Sequence, residues 1–482
     1  MKKKFFSLKF PYLSIKMTMN RLKKDKFLFS NKNVFWVILF VFSLINAILL
    51  WYIEQELHLT EAADARSWYN PALALLEYGS FVMLESPSIP MTYRTPLYPL
   101  YEAIMLWISD GEILSIIVGQ IVLLWMTGML FSNIVGLFIP KFKTVALALV
   151  VFNPNALAIA HLVQSDTLHV FLVALSLWGL VKYMLSDKQL KWAIVTAVFI
   201  SLSCLVRPTG QYLIFILPIV LPLVNFLYGK VITIKRGVIH GMFGIITSLV
   251  VLFPWAMHNA NAGWGYVLAT SQSKTVYLRD SVIFAESKEL KISRSEASNK
   301  ILKEEFKHIN SVEKKSGQLG SQERFNSLVE YYKVKLSSYP LSALLLAYTD
   351  SLIDFFGGGG SVNFFNLLGI DTVKAMNNNT TEFYSNRLYV VFSALTELPL
   401  QAILISSLSL LYVVSLRFLG ILGIIEMIRQ KNYALLSIIL GMIVYFSVVV
   451  LFVGNSRYRL PIEGVLVILA LYGVIFLRKT KK

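Results

Sequence analysis

Long apolar runs follow one another along most of this chain. Several of them reach the roughly 20 residues that a helix needs to cross a bilayer. Only 15% of the 482 residues are charged, against about 25% in an ordinary globular domain. These runs therefore predict an all-α polytopic membrane protein, with juxtamembrane helices in the segments between spans.

We predict ten transmembrane helices from the positions of the apolar runs. Their boundaries are 34–53, 113–139, 144–161, 167–185, 191–206, 211–228, 238–256, 402–428, 433–453 and 460–477. The apolar stretches 341–356 and 386–400 could lie in the membrane interface or add two spans, which leaves twelve as the alternative count.

The basic residues are distributed unevenly, and this predicts the orientation. The N-terminal tail, residues 1–33, is strongly basic, and we read the first apolar run as a retained anchor because no small-residue cleavage site follows it. With a cytoplasmic N-terminus, 24 of the 45 Lys and Arg residues fall in cytoplasmic segments, as the positive-inside rule requires. The net charge of +17 therefore indicates membrane topology and not a nucleic-acid partner.

Two long segments then lie outside the cytoplasm. The first, 54–112, carries nine acidic and two basic residues, and the second, 257–401, is nearly balanced in charge. The second contains an amphipathic helix over 321–336 and loops at the Gly357–Gly360 and Asn377–Asn379 runs. Between and after these segments lie spans two to seven (113–256) and spans eight to ten with a basic cytoplasmic end (402–482).

A few charged residues break this bias at the outer face. Asp64 lies early in the first outside segment, and Arg94, Arg207, Arg457 and Arg459 come from three other parts of the sequence. Arginine is the planar, permanently charged partner suited to phosphate. This grouping predicts a phosphate-linked lipid as the substrate, bound near headgroup level.

Each of these residues also has a purely structural interpretation. Arginines at span ends can be headgroup anchors, and Asp64 and Asp166 can cap the helices that follow them. His58, His161 and His258 have no metal-ligand spacing, which favours interfacial polar roles. The single cysteine, Cys204, lies in an apolar run and is expected to pack in the core.

Short motifs in the first outside segment resemble a known enzyme family. The pattern Asp64-x4-Tyr69-x2-Ala72-x6-Gly79-x-Phe81, followed by Arg94-Thr95-Pro96-Leu97-Tyr98-Pro99, is similar to the first periplasmic loop of GT-C glycosyltransferases. The nearest branch contains bacterial relatives of protein O-mannosyltransferase and of the lipid A aminoarabinose transferase. Arg207-Pro208-Thr209-Gly210 and Arg457-Tyr458-Arg459-Leu460-Pro461 look like further parts of that pattern.

The resemblance implies an integral protein of the bacterial inner membrane with a GT-C-like fold. Its activity would be inverting transfer of a sugar from a polyprenyl-phosphate carrier to an extracytoplasmic lipid, glycan or protein acceptor. Segment 54–112 would be the catalytic loop and Asp64 the catalytic carboxylate. Substrate contacts are expected from eight residues: Arg66, Tyr69, Arg94, Tyr98, Arg207, Arg457, Tyr458 and Arg459.

The chemistry agrees with this expectation. A carboxylate can take the proton of an acceptor hydroxyl, and arginines can stabilise a phosphate leaving group, so no cofactor is required, although a divalent metal is not excluded. Some family members carry an adjacent Asp-Glu pair, whereas here alanines flank Asp64 and Glu61 is the nearest other acid. The role of a second carboxylate stays open.

Three other functions remain compatible with the sequence. A flippase or carrier for lipid-linked sugars would also need basic groups at the membrane face, but it would be expected to place more polar residues within its spans. A polysaccharide polymerase could use the same arginines. A structural membrane subunit would need none of them for chemistry.

Overall fold

The all-α fold class is confirmed. The structure is a computed structural model that describes residues 32–56, 64–229, 234–317, 320–370 and 398–480. Within these ranges it contains eighteen α-helices and one two-stranded antiparallel hairpin. Most of the basic N-terminal tail, the Asn377–Asn379 run and His58 lie outside the described residues.

The first half of the chain contains α1 to α10. These helices are α1 (Lys32–Gln55), α2 (Ala65–Tyr78), α3 (Leu97–Ile108), α4 (Ile113–Phe138), α5 (Lys143–Val151), α6 (Pro154–Ala160), α7 (Asp166–Leu185), α8 (Gln189–Val206), α9 (Leu213–Leu227) and α10 (Ile234–Asn261). The hairpin pairs β1 (Val82–Met83) with β2 (Ser86–Pro90).

The second half contains the remaining eight helices. They are α11 (Ser271–Leu290), α12 (Arg294–Ser316), α13 (Ser321–Ser337), α14 (Leu341–Gly357), α15 (Ser361–Leu367), α16 (Leu400–Arg429), α17 (Tyr433–Val450) and α18 (Leu460–Thr480). The predicted amphipathic helix over 321–336 is thus α13. Most of the glycine run, Gly358 to Gly360, forms the loop between α14 and α15.

Eight of these helices are long and apolar enough to cross a membrane, which identifies an integral membrane protein. They are α1, α4, α7, α8, α10, α16, α17 and α18. The described residues give these eight, or nine if one bent helix pair counts as a single span, against the ten predicted. Of the two stretches behind the alternative of twelve, 341–356 falls in the 17-residue helix α14, and most of 386–400 lies outside the described residues.

Two of the predicted spans account for the difference in count. The predicted span 144–161 is broken between α5 and α6 by a bend of 54°. Pro154 begins α6, and the Asn153 side chain caps it by accepting from the backbone N–H of Ala156 at 3.1 Å. The predicted span 211–228 is the 15-residue helix α9, which contains Pro218 and Pro222. Proline removes a helical hydrogen bond and clashes with the preceding turn.

The helix α18 is the centre of the bundle. It is the most buried of the eight candidate spans, because 83% of its 18-residue apolar stretch is buried inside the protein. It packs closely on α16, because a Cβ added at Gly423 would overlap the carbonyl oxygen of Leu469, and one at Gly473 would overlap that of Leu419. Small residues allow such close helix contacts in membranes. The first residues of α18 are therefore held firmly against the bundle.

The segment from α11 to α14 has a small core of its own. Val282, Ala297, Ile301 and Tyr332 are buried together, and a capping box between Ser293 and Glu296 begins α12. Tyr277 of α11 donates to the carbonyl of Val449 at 2.9 Å. This contact places α11 over the end of α17, beside the cavity described next.

Candidate functional site

A cavity of about 320 Å³ lies where several separate segments of the chain meet. Its charged lining comes from α2, the loop before α3, the first turn of α7, the turn after α8, the helix α11 and the turn before α18. The charged residues are Asp64, Arg94, Asp166, Arg207, Asp280 and Arg457. Because α7 and α18 begin here and α8 ends here, the cavity lies at one end of the bundle.

Arginines and aspartates form one network in this cavity, which we call the cavity cluster: Asp64, Arg94, Asp166, Arg207 and Arg457. Asp166 pairs with Arg207 and accepts from Arg457 Nε at 2.7 Å. Arg457 Nη1 also lies 3.3 Å from an Asp64 oxygen, and Arg94 Nη2 lies 3.5 Å from the other. The cluster therefore links five separate places in the chain with three guanidinium groups and two carboxylates.

The structural interpretation of Asp166 as a helix cap is wrong. The cap position of α7 is Ser165, and no side-chain hydrogen bond caps the helix there. Asp166 instead pairs with two arginines, and its side chain is only 4% exposed. A carboxylate this buried needs charged partners to offset its loss of hydration.

Asp64 does occupy the cap position of α2, but its side chain makes no capping hydrogen bond. Its backbone carbonyl accepts from the Ser67 hydroxyl at 2.6 Å, which leaves the carboxylate for Arg94 and Arg457. The Asp64 side chain is 44% exposed, far more than that of Asp166. Of the two carboxylates in the cavity cluster, Asp64 is the one that a ligand can reach.

Arg94 is held in place by its neighbours. Ser67 Oγ accepts from Arg94 Nε at 3.0 Å and from Nη2 at 2.6 Å, and the guanidinium lies 4.4 Å from the centre of the Trp68 ring. Burial lowers the pKa of Arg94; Asp64 acts against this, but the charges of Arg207 and Arg457 lower it further. The cavity cluster therefore has more positive than negative charge.

The pKa of Arg457 is shifted in the opposite direction from that of Arg94. Burial lowers the pKa of its guanidinium, but Asp166, Tyr458 and Asp64 outweigh that effect and the pKa is raised. Arg457 contacts both carboxylates of the cavity cluster.

The structure brings together five of the nine residues predicted to act on the substrate: Asp64, Arg94, Arg207, Arg457 and Tyr458 all line the cavity. The Arg207 guanidinium lies 5.4 Å from the centre of the Tyr458 ring. This geometry allows cation–π attraction between the two side chains.

The other four predicted contacts do not line this cavity. Arg66 is exposed and Tyr69 is half-buried outside it. Tyr98 is fully buried and donates to Gln120 Oε1 at 2.9 Å, as a core residue does. Arg459 is buried, and it pairs with Glu463 and donates to the carbonyls of Phe355 and Gly358.

Sequence reasoning missed two carboxylates of this site. Asp166 carried a usable signal, because Asp166 and Asp187 are the only acidic residues between positions 113 and 256, and the outer arginines needed a partner. Asp280 carried none, since its position depends on how α11 folds over the bundle. Burial raises the pKa of Asp280, and the neighbouring Arg279 only partly offsets this.

Two further polar side chains line the cavity, His169 and Thr209. His169 Nε2 lies 3.4 Å from Thr209 Oγ1, and both residues line the cavity.

Among the residues that the structure describes, no group of three or more His, Cys, Asp or Glu side chains is placed to hold a metal ion. Glu61 lies outside that part of the chain, and Glu85 is exposed beside the hairpin.

Part of the cavity lining is apolar. Phe446, Val449 and Val450 of α17 and Val453 after it complete the lining. One cavity therefore offers a cationic wall, an accessible carboxylate and an apolar wall.

No family model, curated protein or solved structure matches this chain.

Proposed function

We propose that this chain is a membrane glycosyltransferase that moves a sugar from a polyprenyl-phosphate carrier to an acceptor hydroxyl. The observation that carries the proposal is the pairing of the two cavity walls. A lipid-linked phosphate has an anionic head and an apolar tail, and the cavity is lined both by three arginines and by a group of apolar side chains. The GT-C resemblance of the sequence motifs supports the same activity.

In the proposed reaction, Asp64 is the general base. It takes the proton of the acceptor hydroxyl as the acceptor oxygen bonds to the anomeric carbon. The bond between that carbon and the phosphate oxygen breaks on the opposite face, so the configuration inverts. Arg94, Arg207 and Arg457 stabilise the charge that develops on the departing phosphate, and no proton donor to the phosphate is needed.

The proposed site faces away from the cytoplasm. The cavity cluster lies at the start of α7 and before the start of α18, while Lys182 and Lys479 lie in the last turns of those helices. Under the positive-inside rule, the lysine end is cytoplasmic. With Cys204 replaced by Ser, a cysteine at Ser88 should react with an impermeant thiol reagent from outside, and one at Ser186 should not. The reverse pattern would contradict this orientation.

The activity is tested by incubating membranes that contain the protein with a polyprenyl phosphate carrying a labelled sugar. We expect the label to leave the carrier and appear on an acceptor, and membranes lacking the protein provide the control. Label that crosses the bilayer but stays on the carrier would identify a flippase. Label that accumulates only in lengthening polysaccharide would identify a polymerase. Either result would overturn the proposal.

A further inference from the structure

A second cavity, of about 950 Å³, adjoins the first. Arg457 and Val453 line both cavities. The helix α11 also contributes to both, with Asp280 in the first cavity and Phe284 in the second. These two residues are one helical turn apart, a rise of about 6 Å. The two cavities are therefore neighbours, and Arg457 stands at their boundary.

The second cavity differs from the first in its polar groups, which are largely uncharged. Side-chain amides of Gln164, Asn363, Asn366 and Asn455 line it. An amide both donates and accepts hydrogen bonds, as a ligand hydroxyl does. This lining suits a ligand that is rich in hydroxyl groups.

Gln164 is the most informative of these amides. It is only 4% exposed, and its Oε1 has no hydrogen-bond partner among the described residues. A buried acceptor left unpaired costs about 1–3 kcal/mol. A hydroxyl donor from a ligand in this cavity would remove that cost.

Each arginine that lines the second cavity is paired with a carboxylate. Arg294 Nη2 lies 2.9 Å from an Asp354 oxygen, and both residues line the cavity. Arg457 is already shared between Asp166 and Asp64. Both arginines that line this cavity therefore already have carboxylate partners, so a neutral ligand fits better than a phosphate.

The loop Gly358–Gly360 forms part of the wall and is firmly placed. Gly360 has a φ of +79°, and a Cβ there would overlap the side-chain amide of Asn155. A Cβ at Gly359 would lie 2.9 Å from Ser409 Cβ. Arg459 donates to the Gly358 carbonyl at 2.7 Å. The wall is therefore part of the bundle and provides a preformed surface.

We propose that the second cavity binds the acceptor, and that the acceptor is a neutral sugar residue of a glycan, not a lipid headgroup or a protein side chain. The assignment as acceptor rests on the proposed glycosyl transfer. The sugar would lie against Gln164 and the glycine loop, with one hydroxyl directed past Arg457 to Asp64. Because Arg457 touches both cavities, it would align this hydroxyl with the donor phosphate.

The binding test uses simple neutral sugars as probes. The purified full-length protein is studied by saturation-transfer NMR in a detergent without a sugar headgroup, with methyl glycosides of glucose, mannose, galactose, rhamnose and N-acetylglucosamine. We expect at least one glycoside to bind, with affinity reduced roughly tenfold in Gln164→Leu. Asn366→Leu is a second, surface-exposed variant that should weaken the same glycoside. Gln322→Leu, outside both cavities, is the matched control and should bind normally.

Three results would overturn the inference: no glycoside binds, binding is unaffected by both cavity variants, or inorganic phosphate displaces the glycoside. The labelled-carrier experiment tests the proposed function separately. Glycoside binding that depends on Gln164, in a protein that transfers no label, would reject the transferase and keep a neutral-sugar site. Label transfer without glycoside binding would reject only the sugar site.

Discussion

Arg457 and Arg459 lie two residues apart, yet they belong to two different ionic clusters. Arg457 joins the cavity cluster with Asp64 and Asp166. Arg459 belongs to a second group, the buried cluster, which it forms with Arg417 and Glu463. In both clusters arginines outnumber carboxylates, so the ratio of charges does not distinguish them.

What differs is how the arginines are satisfied. Arg459 is 1% exposed and donates to two backbone carbonyls in addition to Glu463. Arg417 Nε likewise donates to the Phe356 carbonyl at 3.3 Å. In the cavity cluster, Asp64 is 44% exposed and its arginine partners line an open cavity. An arginine that is buried and donates to backbone carbonyls therefore has a structural role. An arginine that lines a cavity and has a solvent-accessible carboxylate partner can act on a ligand.

The largest effect is expected from removing the enclosed arginine. Arg459→Met leaves the carbonyls of Phe355 and Gly358 without their donor, and breaking a buried ion pair costs about 3–5 kcal/mol. We expect a large loss of folded protein, measured by thermal unfolding in detergent. Arg457→Met is the matched control and should fold, because the Arg457 side chain donates to the carboxylates of Asp166 and Asp64 and not to the carbonyls of Phe355 and Gly358, and Asp166 keeps Arg207. Equal destabilisation by the two changes would remove the distinction between the clusters.

The next effect concerns the shape of the guanidinium. Arg457→Lys keeps the charge but loses the planar fork that reaches Asp166 and Asp64 together. A hydrogen bond to a charged group contributes about 1.5–3 kcal/mol, so we expect the transfer rate to fall about ten- to a hundredfold. The label-transfer assay measures this, with thermal unfolding as the check on folding. Full activity in Arg457→Lys would mean that Arg457 serves only as an anchor.

The smallest expected effect is a change in the pH dependence of stability, and it concerns Asp280 of the cavity lining. Because the pKa of Asp280 is raised in the folded protein, the folded state binds this proton more tightly than the unfolded state. The resulting stabilisation is fully present below the ordinary value of 3.8 and is lost as pH rises through the raised pKa.

Asp280→Asn removes this dependence, since an amide does not titrate. We expect the unfolding temperature of the variant to rise relative to that of wild type, by on the order of one or two degrees, as pH rises from about 4 to 7. The effect is small because Asp280 is only partly buried. Asp110→Asn, at an exposed turn, is the control and should follow wild type. A constant difference at all pH values would contradict the assignment.

Much of the fold was predictable because it depends on composition along single segments. Apolar length identified most spans, and the positions of charges at span ends predicted that Asp64, Arg94, Arg207 and Arg457 would share one face. The number of spans was not predictable, because the break before Pro154 and the short length of α9 depend on local geometry that apolar length does not record.

The divergence of Arg457 and Arg459 could not be predicted for a different reason. Both lie in the turn before α18, where no helical or strand periodicity fixes the direction of a side chain. Their directions follow from where the α14–α15 loop and the start of α7 pack. Asp280 is a similar case, because it reaches the cavity only through the tertiary placement of α11.

The most direct test of the central claim is the transfer rate of Asp64→Asn. This change keeps the size of the side chain and removes the base, and general-base catalysis contributes about a hundred- to ten-thousand-fold. Asp110→Asn is again the control, since Asp110 is exposed with a φ of +54°, which asparagine also tolerates. The account predicts a fall in label transfer of at least about a hundredfold in Asp64→Asn, with unchanged unfolding temperature and normal activity in the control. Wild-type transfer by a folded Asp64→Asn protein would contradict it.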